Sequence, residues 1–538
     1  MRNGLLYGAI LTIVVFCFAA FFWHVAFGYI LAVIAPFLLA LFYDAFQIEH
    51  SLMRNFPLIA RTRWIAEWMR PKIHQYFIEN DTEGTPISRM LRSIAYQRSK
   101  NELDTSPFGT LLNVYDQGHE WMNHSIAALD HRDLDYDPRV TIGGPDCKQP
   151  YSCSIFNISA MSFGSLSKNA ILSLNGGAKI SGFAHNTGEG GISSYHLKHK
   201  GDLIYQIGTG YFGARAKDGG FSAKKFKETI TPESVKMIEI KLSQGAKPGH
   251  GGILPAKKVT PEIAKIRNID VGKDVISPPH HKAFSTPEGL LEFIKELREL
   301  SDGKPIGFKL CLGKKSEFLA ICKAMIKTGI KPDFIALDGA EGGTGAAPLE
   351  FANSVGTPYK EGLAYIFNAL IGFDLKKDIT IIAAGKILTG FHIFKALALG
   401  ADVCYSARGM MLALGCIQAL ECNKNTCPVG VATQNPKFAN GLIVSDKKQR
   451  VANFHKNTVT SFVELTAAAG IVNRIEINRS KVFRRIEMNM SQRYDEIHPY
   501  ITKGCLLEEY TVPDEWQADM TKASAESFKP RFLEALEN

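Results

Sequence analysis

Residues 383–410 read "AAGKILTGFHIFKALALGADVCYSARGM". Two short apolar runs, "ITIIAAG" (379–385) and "ADVCYSA" (401–407), end in small residues, and each is followed by a cation, Lys386 and Arg408. A helical pattern lies between them. Runs that are apolar on both alternations are what a parallel sheet buried on both faces requires. Phosphate-binding α/β barrels build a double clamp after strands 7 and 8. Gly385–Lys386 and Ser406–Ala407–Arg408 are read as that clamp, each opening a helix whose free N–H groups face an anion.

Working outward, four more β-rich runs occur: "SIFNISA" (154–160), "VKMIEIK" (235–241), "PIGFKL" (305–310) and "DFIALDG" (333–339). Helical stretches separate them, among them "TPEGLLEFIKELREL", where Thr286 and Glu288 suit a helix start. Repeated βα units predict an α/β fold, a (β/α)8 TIM barrel, with a doubly wound open sheet as the other arrangement. Polar and glycine-rich clusters separate the two. "NISAMSFGSLS", "HNTGEGG", "KLSQGAKPGHGG", "LDGAEGGTGAAP", "AAGKI" and "SARGM" all stand at strand ends. That distribution favours a barrel with one large cofactor across its mouth.

From Leu5 to Tyr43 the chain carries no Asp, Glu, Lys or Arg. One bilayer span needs about 20 apolar residues, so two short spans meeting near Trp23–Gly28 are expected. No small-residue cleavage site closes the run, which argues against a secretory signal. Arg2 precedes it, and Arg54, Arg61, Arg63, Arg70 and Lys72 follow it. The positive-inside rule then puts both ends in the cytoplasm, so the expected location is the inner (cytoplasmic) membrane with a cytoplasmic catalytic body. In "RTRWIAEWMRPKIHQYFIEN" (61–80), Trp64, Trp68, Ile73 and Phe77 fall near helical spacing. Two readings stay open there: a helix lying on the lipid headgroups, or a helix packed on the body.

Hydrophobic content of 46% and charged content of 21% describe a globular chain of 538 residues. The excess of +9 is modest and gathers after the N-terminal spans, and nothing downstream reads as a nucleic-acid module. The expected divisions are a hairpin over 1–45, a helical connecting region over 46–135, the barrel over 136–480 and a C-terminal extension over 481–538. Seven of the ten cysteines are scattered, while Cys416, Cys422 and Cys427 cluster in "GCIQALECNKNTCPVG" (415–430). In a reducing compartment such a cluster points to metal binding.

The motifs "AMSFGSLS", "NTGEGG", "SQGAKPG", "DGAEGGTGAAP" and "GCIQALECNKNTCPVGVATQ" occur in that order between about residues 140 and 475. Together they resemble the FMN-binding synthase domain of glutamate synthase, in its stand-alone, membrane-anchored form. The resemblance implies FMN at the barrel mouth and a 3Fe-4S cluster held by Cys416, Cys422 and Cys427. The residues agree: a zinc site would lack its fourth ligand, and a redox pair would need C-x-x-C. The resemblance also implies that Met161 and Ser162 lie by the flavin ring and that Lys309 faces its N1/O2 edge, where a cation stabilises the reduced anion. Gly343, Thr344, Gly385, Lys386, Ala407 and Arg408 would surround the ribityl phosphate. Glu189, Gln244, Lys247 and Arg267 fall where glutamate synthases bind 2-oxoglutarate and its imine.

Two positions depart from the family pattern. In glutamate synthases an acidic residue follows "KPG", and a substrate-contacting glutamine comes three positions later. Here those positions are His250 and Ile253. The pair His280–His281 near the cleft rim is read as structural. No amidotransferase domain and no dinucleotide-binding GxGxxG unit are recognised, so a separate ammonia source is expected. Electrons are expected from an external donor or acceptor, whether a ferredoxin, a reductase subunit or a quinone-linked protein. The expected function is a glutamate synthase-like oxidoreductase acting on a 2-oxo acid. The rivals are a membrane-linked FMN dehydrogenase oxidising an amino or hydroxy acid, and a non-catalytic membrane-anchored assembly protein.

Overall fold

The computed structural model of the chain describes residues 2–102 and 105–530. Eight parallel strands follow one another around a closed barrel. They are β1 (Phe156–Ile158), β2 (His185–Asn186), β3 (Leu203–Ile207), β4 (Val235–Lys241), β5 (Ile306–Leu310), β6 (Phe334–Asp338), β7 (Thr380–Ala384) and β8 (Val403–Ser406). The ring closes where β8 pairs with β1, Tyr405 opposite Asn157. Closure decides between the two expected arrangements: the body is a TIM barrel.

Ser154, placed at the start of the first expected strand, belongs elsewhere. Tyr151–Ser154 pairs antiparallel with Arg139–Ile142. From that hairpin, Val140, Ile142, Tyr151 and Cys153 join Ile204, Met237, Phe334, Ile382 and Val403 in one buried apolar cluster. The hairpin thereby plugs the barrel at the N-terminal ends of its strands and leaves the C-terminal ends to the loops.

Helices wrap the outside, several with side-chain caps. Thr286 accepts from Gly289 N at 3.0 Å, which starts the helix Pro287–Leu300. The helix Lys168–Ser181 packs against the long helix Val444–Ala468. Gly177 is the point of closest approach, because a Cβ there would lie 2.5 Å from Val451 Cγ1 and 2.8 Å from Lys448 O. Gly177→Ala is therefore expected to lower unfolding stability by about 1–3 kcal/mol through overpacking, although alanine is the better helix former. Thermal or denaturant unfolding measures this, and an unchanged midpoint would mean that the two helices separate freely.

Glu120–Met122 pairs antiparallel with Val482–Glu487, which pairs in turn with Met490–Arg493. Segments before and after the barrel thus share one sheet. Glu120 is buried between Lys360 and Lys395. Burial opposes its charge, but the two ammonium groups bring its carboxyl down to about 2.

Residues up to Arg89 form a compact unit distinct from the one that begins at Met90. The first unit holds the helices Arg2–Phe22 and Ala26–Phe46, each 21 residues long and apolar enough to cross a membrane. At 1.5 Å per residue such a helix is about 30 Å long, the thickness of the hydrocarbon core.

Candidate active site at the barrel mouth

Alternation along β4 turns Glu239 and Lys241 into the barrel. Lys241 Nζ sits 2.8 Å from Glu189 Oε1, which comes from the short turn Gly188–Gly190 after β2. Gly188 has φ of +64°, and a Cβ there would stand 2.7 Å from Ser162 N. Only glycine lets this turn lie against Met161 and Ser162. Burial works against the Glu189 carboxylate, but Lys241, Lys247 and Arg267 outweigh it and hold its pKa below the usual range.

The loop after β4 supplies two of the expected substrate residues. Lys247 is 3% exposed, and its Nζ donates to Ala346 O at 2.7 Å. Burial and neighbouring Lys241 push its ammonium down to about 8, with Glu189 opposing. Gln244 Nε2 donates to Thr344 Oγ1 at 3.3 Å. Gly245 packs so closely that a Cβ would come 1.8 Å from Gly339 O. Both loops that follow β4 and β6 are therefore locked side by side.

Arg267, at the end of the helix Pro261–Arg267, reaches the same region. Its Nη2 donates to Phe163 O at 2.9 Å and lies 3.4 Å from Ser162 Oγ. Its Nε is buried and has no hydrogen-bond partner among the described residues. Burial brings its pKa down to about 10. A buried cation with an orphan donor beside Ser162 is a ready anion contact.

Among the departing residues, His250 Nδ1 stands 2.9 Å from Gly251 O, and its ring meets Phe351 edge-on at 5.3 Å. Ile253 pairs with Ile276 in a two-residue ladder. His281 is buried, with Nε2 2.9 Å from Lys241 O and Nδ1 3.2 Å from Tyr211 OH. It braces the end of β4, in keeping with a structural role.

Deeper in the barrel, Lys309 Nζ lies 3.3 Å from Asp338 Oδ2. Burial disfavours its charge, yet Asp338 and Glu239 together hold its pKa above the usual lysine value. Glu239 Oε1 accepts from Asn186 Nδ2 at 2.9 Å and Gln206 Nε2 at 2.6 Å, and the Tyr405 hydroxyl lies beside the same carboxylate. Lys309 is thus a fixed cation on the floor of the mouth.

The clamp pairs the half-buried Arg408 with the more exposed Lys386. Arg408 Nη2 donates to Glu341 O at 2.5 Å, and a Cβ on Gly343 would sit 3.0 Å from Arg408 Cδ. Burial lowers both pKa values, and Arg408 lowers that of Lys386 further. Neither cation makes an ion pair among the described residues. The helix Arg408–Ala413 begins directly after Ala407. Gly385–Lys386, in contrast, does not open a helix, because the next one starts at Gly390 with Thr389 as its cap. Lys386 instead turns the chain, with φ of +53°.

Beyond the clamp, residues 415–430 coil through left-handed Gly415, Gln418, Leu420 and Asn425. The Asn425 side chain accepts from Gln434 N at 2.7 Å, which closes the loop. Cys427 is buried and Cys416 and Cys422 are half-buried. Burial pushes the Cys416 thiol up to about 11, against a hydrogen bond from Gln418 N, with Cys422 and Cys427 adding smaller upward contributions. The three sulfurs are not drawn into a cage for a single ion among the described residues. Lys258 Nζ donates to Cys422 O at 2.7 Å, Ala432 O at 2.9 Å and Ser165 O at 3.2 Å. This buried ammonium staples the cysteine loop to the loop that carries Met161 and Ser162.

Sequence reasoning missed Lys241, Asp338, Glu239 and Lys258. The first three had a signal, since charged residues alternate inward on otherwise apolar strands. Lys258 had none, because its partners are backbone carbonyls remote in sequence.

A closed parallel barrel with buried cations converging at its C-terminal strand ends has the form of an anion-binding α/β-barrel enzyme. Residues 113–472 match the family described as "Conserved region in glutamate synthase". The chain is 37% identical over 498 residues to the glutamate synthase large subunit-like protein YerD of Bacillus subtilis, covering 85% of this chain and 94% of that protein. It is 36% identical over 342 residues to the archaeal glutamate synthase [NADPH] of Methanocaldococcus jannaschii, covering 63% of each. The ferredoxin-dependent glutamate synthase of Antithamnion sp. is 33% identical over 351 residues, 63% of this chain but 22% of that protein. The chain belongs to the glutamate synthase family, and so to the oxidoreductases that act on CH–NH2 donors.

Proposed function

We propose that the chain binds FMN at the barrel mouth and a 3Fe-4S cluster on Cys416, Cys422 and Cys427, and reduces the imine of a 2-oxo acid such as 2-oxoglutarate. The observation that carries this reading is the convergence of Lys241, Lys247, Arg267 and Glu189 beside Met161 and Ser162, with a cation at Lys309 below them. The mouth fits a flavin phosphate, since the half-buried Arg408 and the more exposed Lys386 repel each other and neither makes an ion pair among the described residues. Gly343, Thr344, Gly385 and Ala407 leave it the room. The cysteine loop fits the cluster by its donor set, one soft thiolate for each iron. When bound, FMN supplies the two-electron chemistry that an imine needs.

The protein's own groups then have defined tasks. Lys247 and Arg267 hold the two carboxylates of the 2-oxo acid in a site sheltered from water. Glu189, kept anionic by Lys241, stabilises the positive charge of the iminium formed with ammonia. Gln244 orients the substrate from the rim, while Lys309 fixes negative charge at the ring edge. Electrons come from a separate carrier, a ferredoxin, a reductase subunit or a quinone-linked protein, and ammonia from solution or a partner. The two N-terminal helices anchor the chain in the inner membrane with the barrel in the cytoplasm, as their length and apolarity support.

The test is the anaerobic visible spectrum of the detergent-purified protein, with bleaching and recovery of the flavin bands on addition of 2-oxo or amino acids. A colourless preparation after flavin supplementation would overturn the proposal. Arg408→Ala is expected to weaken FMN binding by about 10- to 150-fold, the worth of about 1.5–3 kcal/mol for a charged hydrogen bond. Fluorimetric titration of released flavin measures it.

A further inference from the structure

The helix Arg61–Ile73 plays no part in that function, and none of its residues is buried. Its side chains are those a protein surface normally avoids: Ile65 is 56% exposed and Trp68 68% exposed, with Trp64 and Met69 also open. Trp64 and Trp68, one turn apart, stand on one face with Ile65 and Met69 beside them. Arg63 and Arg70 lie on the other side, and the Lys72 ammonium sits 3.5 Å from the Trp68 ring centroid. Around it, Arg54, Arg63, Arg70 and Lys72 far outweigh the one acid, Glu67. An aromatic–aliphatic face bordered by cations is the composition of a helix at a lipid–water interface.

Geometry fixes the depth at which this helix starts. Arg61, its first residue, grips Asp44 with two hydrogen bonds, Nε to Oδ2 at 2.8 Å and Nη2 to Oδ1 at 2.7 Å. Leu58 N also donates to Asp44 Oδ2 at 3.0 Å. Asp44 is near the end of the second apolar helix, Ala26–Phe46, and is itself fully buried. The clamp ties the amphipathic helix to the level at which the apolar helix ends.

We propose that Arg61–Ile73 lies along the cytoplasmic surface of the bilayer. Trp64, Ile65, Trp68 and Met69 enter the headgroup–acyl boundary, and the basic residues pair with anionic phospholipid phosphates. This rests on the membrane-hairpin reading above. It adds a second, charge-dependent contact and assigns the exposed aromatic face to lipid, not to a protein partner. The Asp44–Arg61 clamp is the device that sets the helix down at the interface.

The test uses the full-length protein in phosphatidylcholine nanodiscs with and without phosphatidylglycerol, built with lipid brominated near the headgroup. Trp64 and Trp68 are expected to be quenched by the brominated lipid, more strongly when phosphatidylglycerol is present. In Trp64→Phe/Trp68→Phe, a pair of substitutions mild enough to leave the fold intact, the phosphatidylglycerol-dependent part of the quenching should be lost, leaving only the part contributed by Trp23 at the hairpin turn. Asp44→Asn, which releases the clamp, should reduce the quenching while the protein still floats with the discs. Flotation keeps the two readings apart. Protein that fails to float would overturn the hairpin itself. Protein that floats but keeps Trp64 and Trp68 open to acrylamide, or shields them from both quenchers, would overturn the surface helix alone, in favour of solvent or a protein partner respectively.

Discussion

Cys422→Ser is expected to purify with its flavin but without an iron–sulfur EPR signal, and to lose all turnover driven by an external one-electron carrier. Three thiolates, one per iron, leave no spare ligand, so a hydroxyl in place of one sulfur removes the cluster. The loop around it should survive. Its staple runs from Lys258 to the Cys422 carbonyl, which the substitution keeps, and Asn425 closes the loop independently. Flavin content therefore serves as the internal control. A full EPR signal in the variant would overturn the ligand assignment, whereas loss of both flavin and cluster would point to a damaged fold; Cys416→Ser then provides the second measurement.

Lys247→Ala is expected to cut kcat/KM for the 2-oxo acid by about 30- to 4,000-fold. Truncating one partner of a buried charged contact typically costs about 2–5 kcal/mol, with tenfold for each 1.4 kcal/mol. The same lysine should set an alkaline limb. Its ammonium, pushed down to about 8 by burial and Lys241, must be charged to hold a carboxylate, so kcat/KM of the free enzyme falls as pH rises through about 8. Lys247→Arg should move that limb to higher pH because a guanidinium stays protonated. Stability runs the other way. Between about 8 and the ordinary 10.5 the unfolded chain binds more protons at this site than the folded one, so this lysine makes stability rise with pH across that window. A kcat/KM within a few-fold of the parent, and a limb that does not move, would remove Lys247 from substrate binding.

The barrel was legible where strands were long and apolar. β4, β6 and β7 could be found because each is buried on both faces and ends in a glycine-rich loop. β2 was not, since two residues carry no periodicity, and Leu203–Ile207 has a polar Gln206 that points into the barrel. The hairpin Arg139–Ile142/Tyr151–Ser154 is not legible as such: only its last residue, Ser154, falls in the expected strand 154–160, because a single residue, Ile155, separates it from β1. Glu120–Met122 and Val482–Glu487 could not be paired from the sequence, since their partnership is non-local. At the site, residues carried over by motif were legible one at a time. Their mutual electrostatics were not: Lys241 facing Glu189 follows from the register of β4 against the turn after β2, which no local pattern reveals. Likewise, the turn at Lys386 is set by the capping of the next helix at Thr389, three residues further on.

The proposed chemistry stands or falls on reoxidation of the reduced protein. After anaerobic bleaching of the flavin bands with a one-electron donor, 2-oxoglutarate and ammonia added together should restore the oxidised spectrum and yield glutamate in proportion to the flavin present. Neither compound alone should do so. Reoxidation by 2-oxoglutarate without ammonia, or a reduced spectrum that persists with both present, would contradict the reading of this barrel as an imine-reducing site.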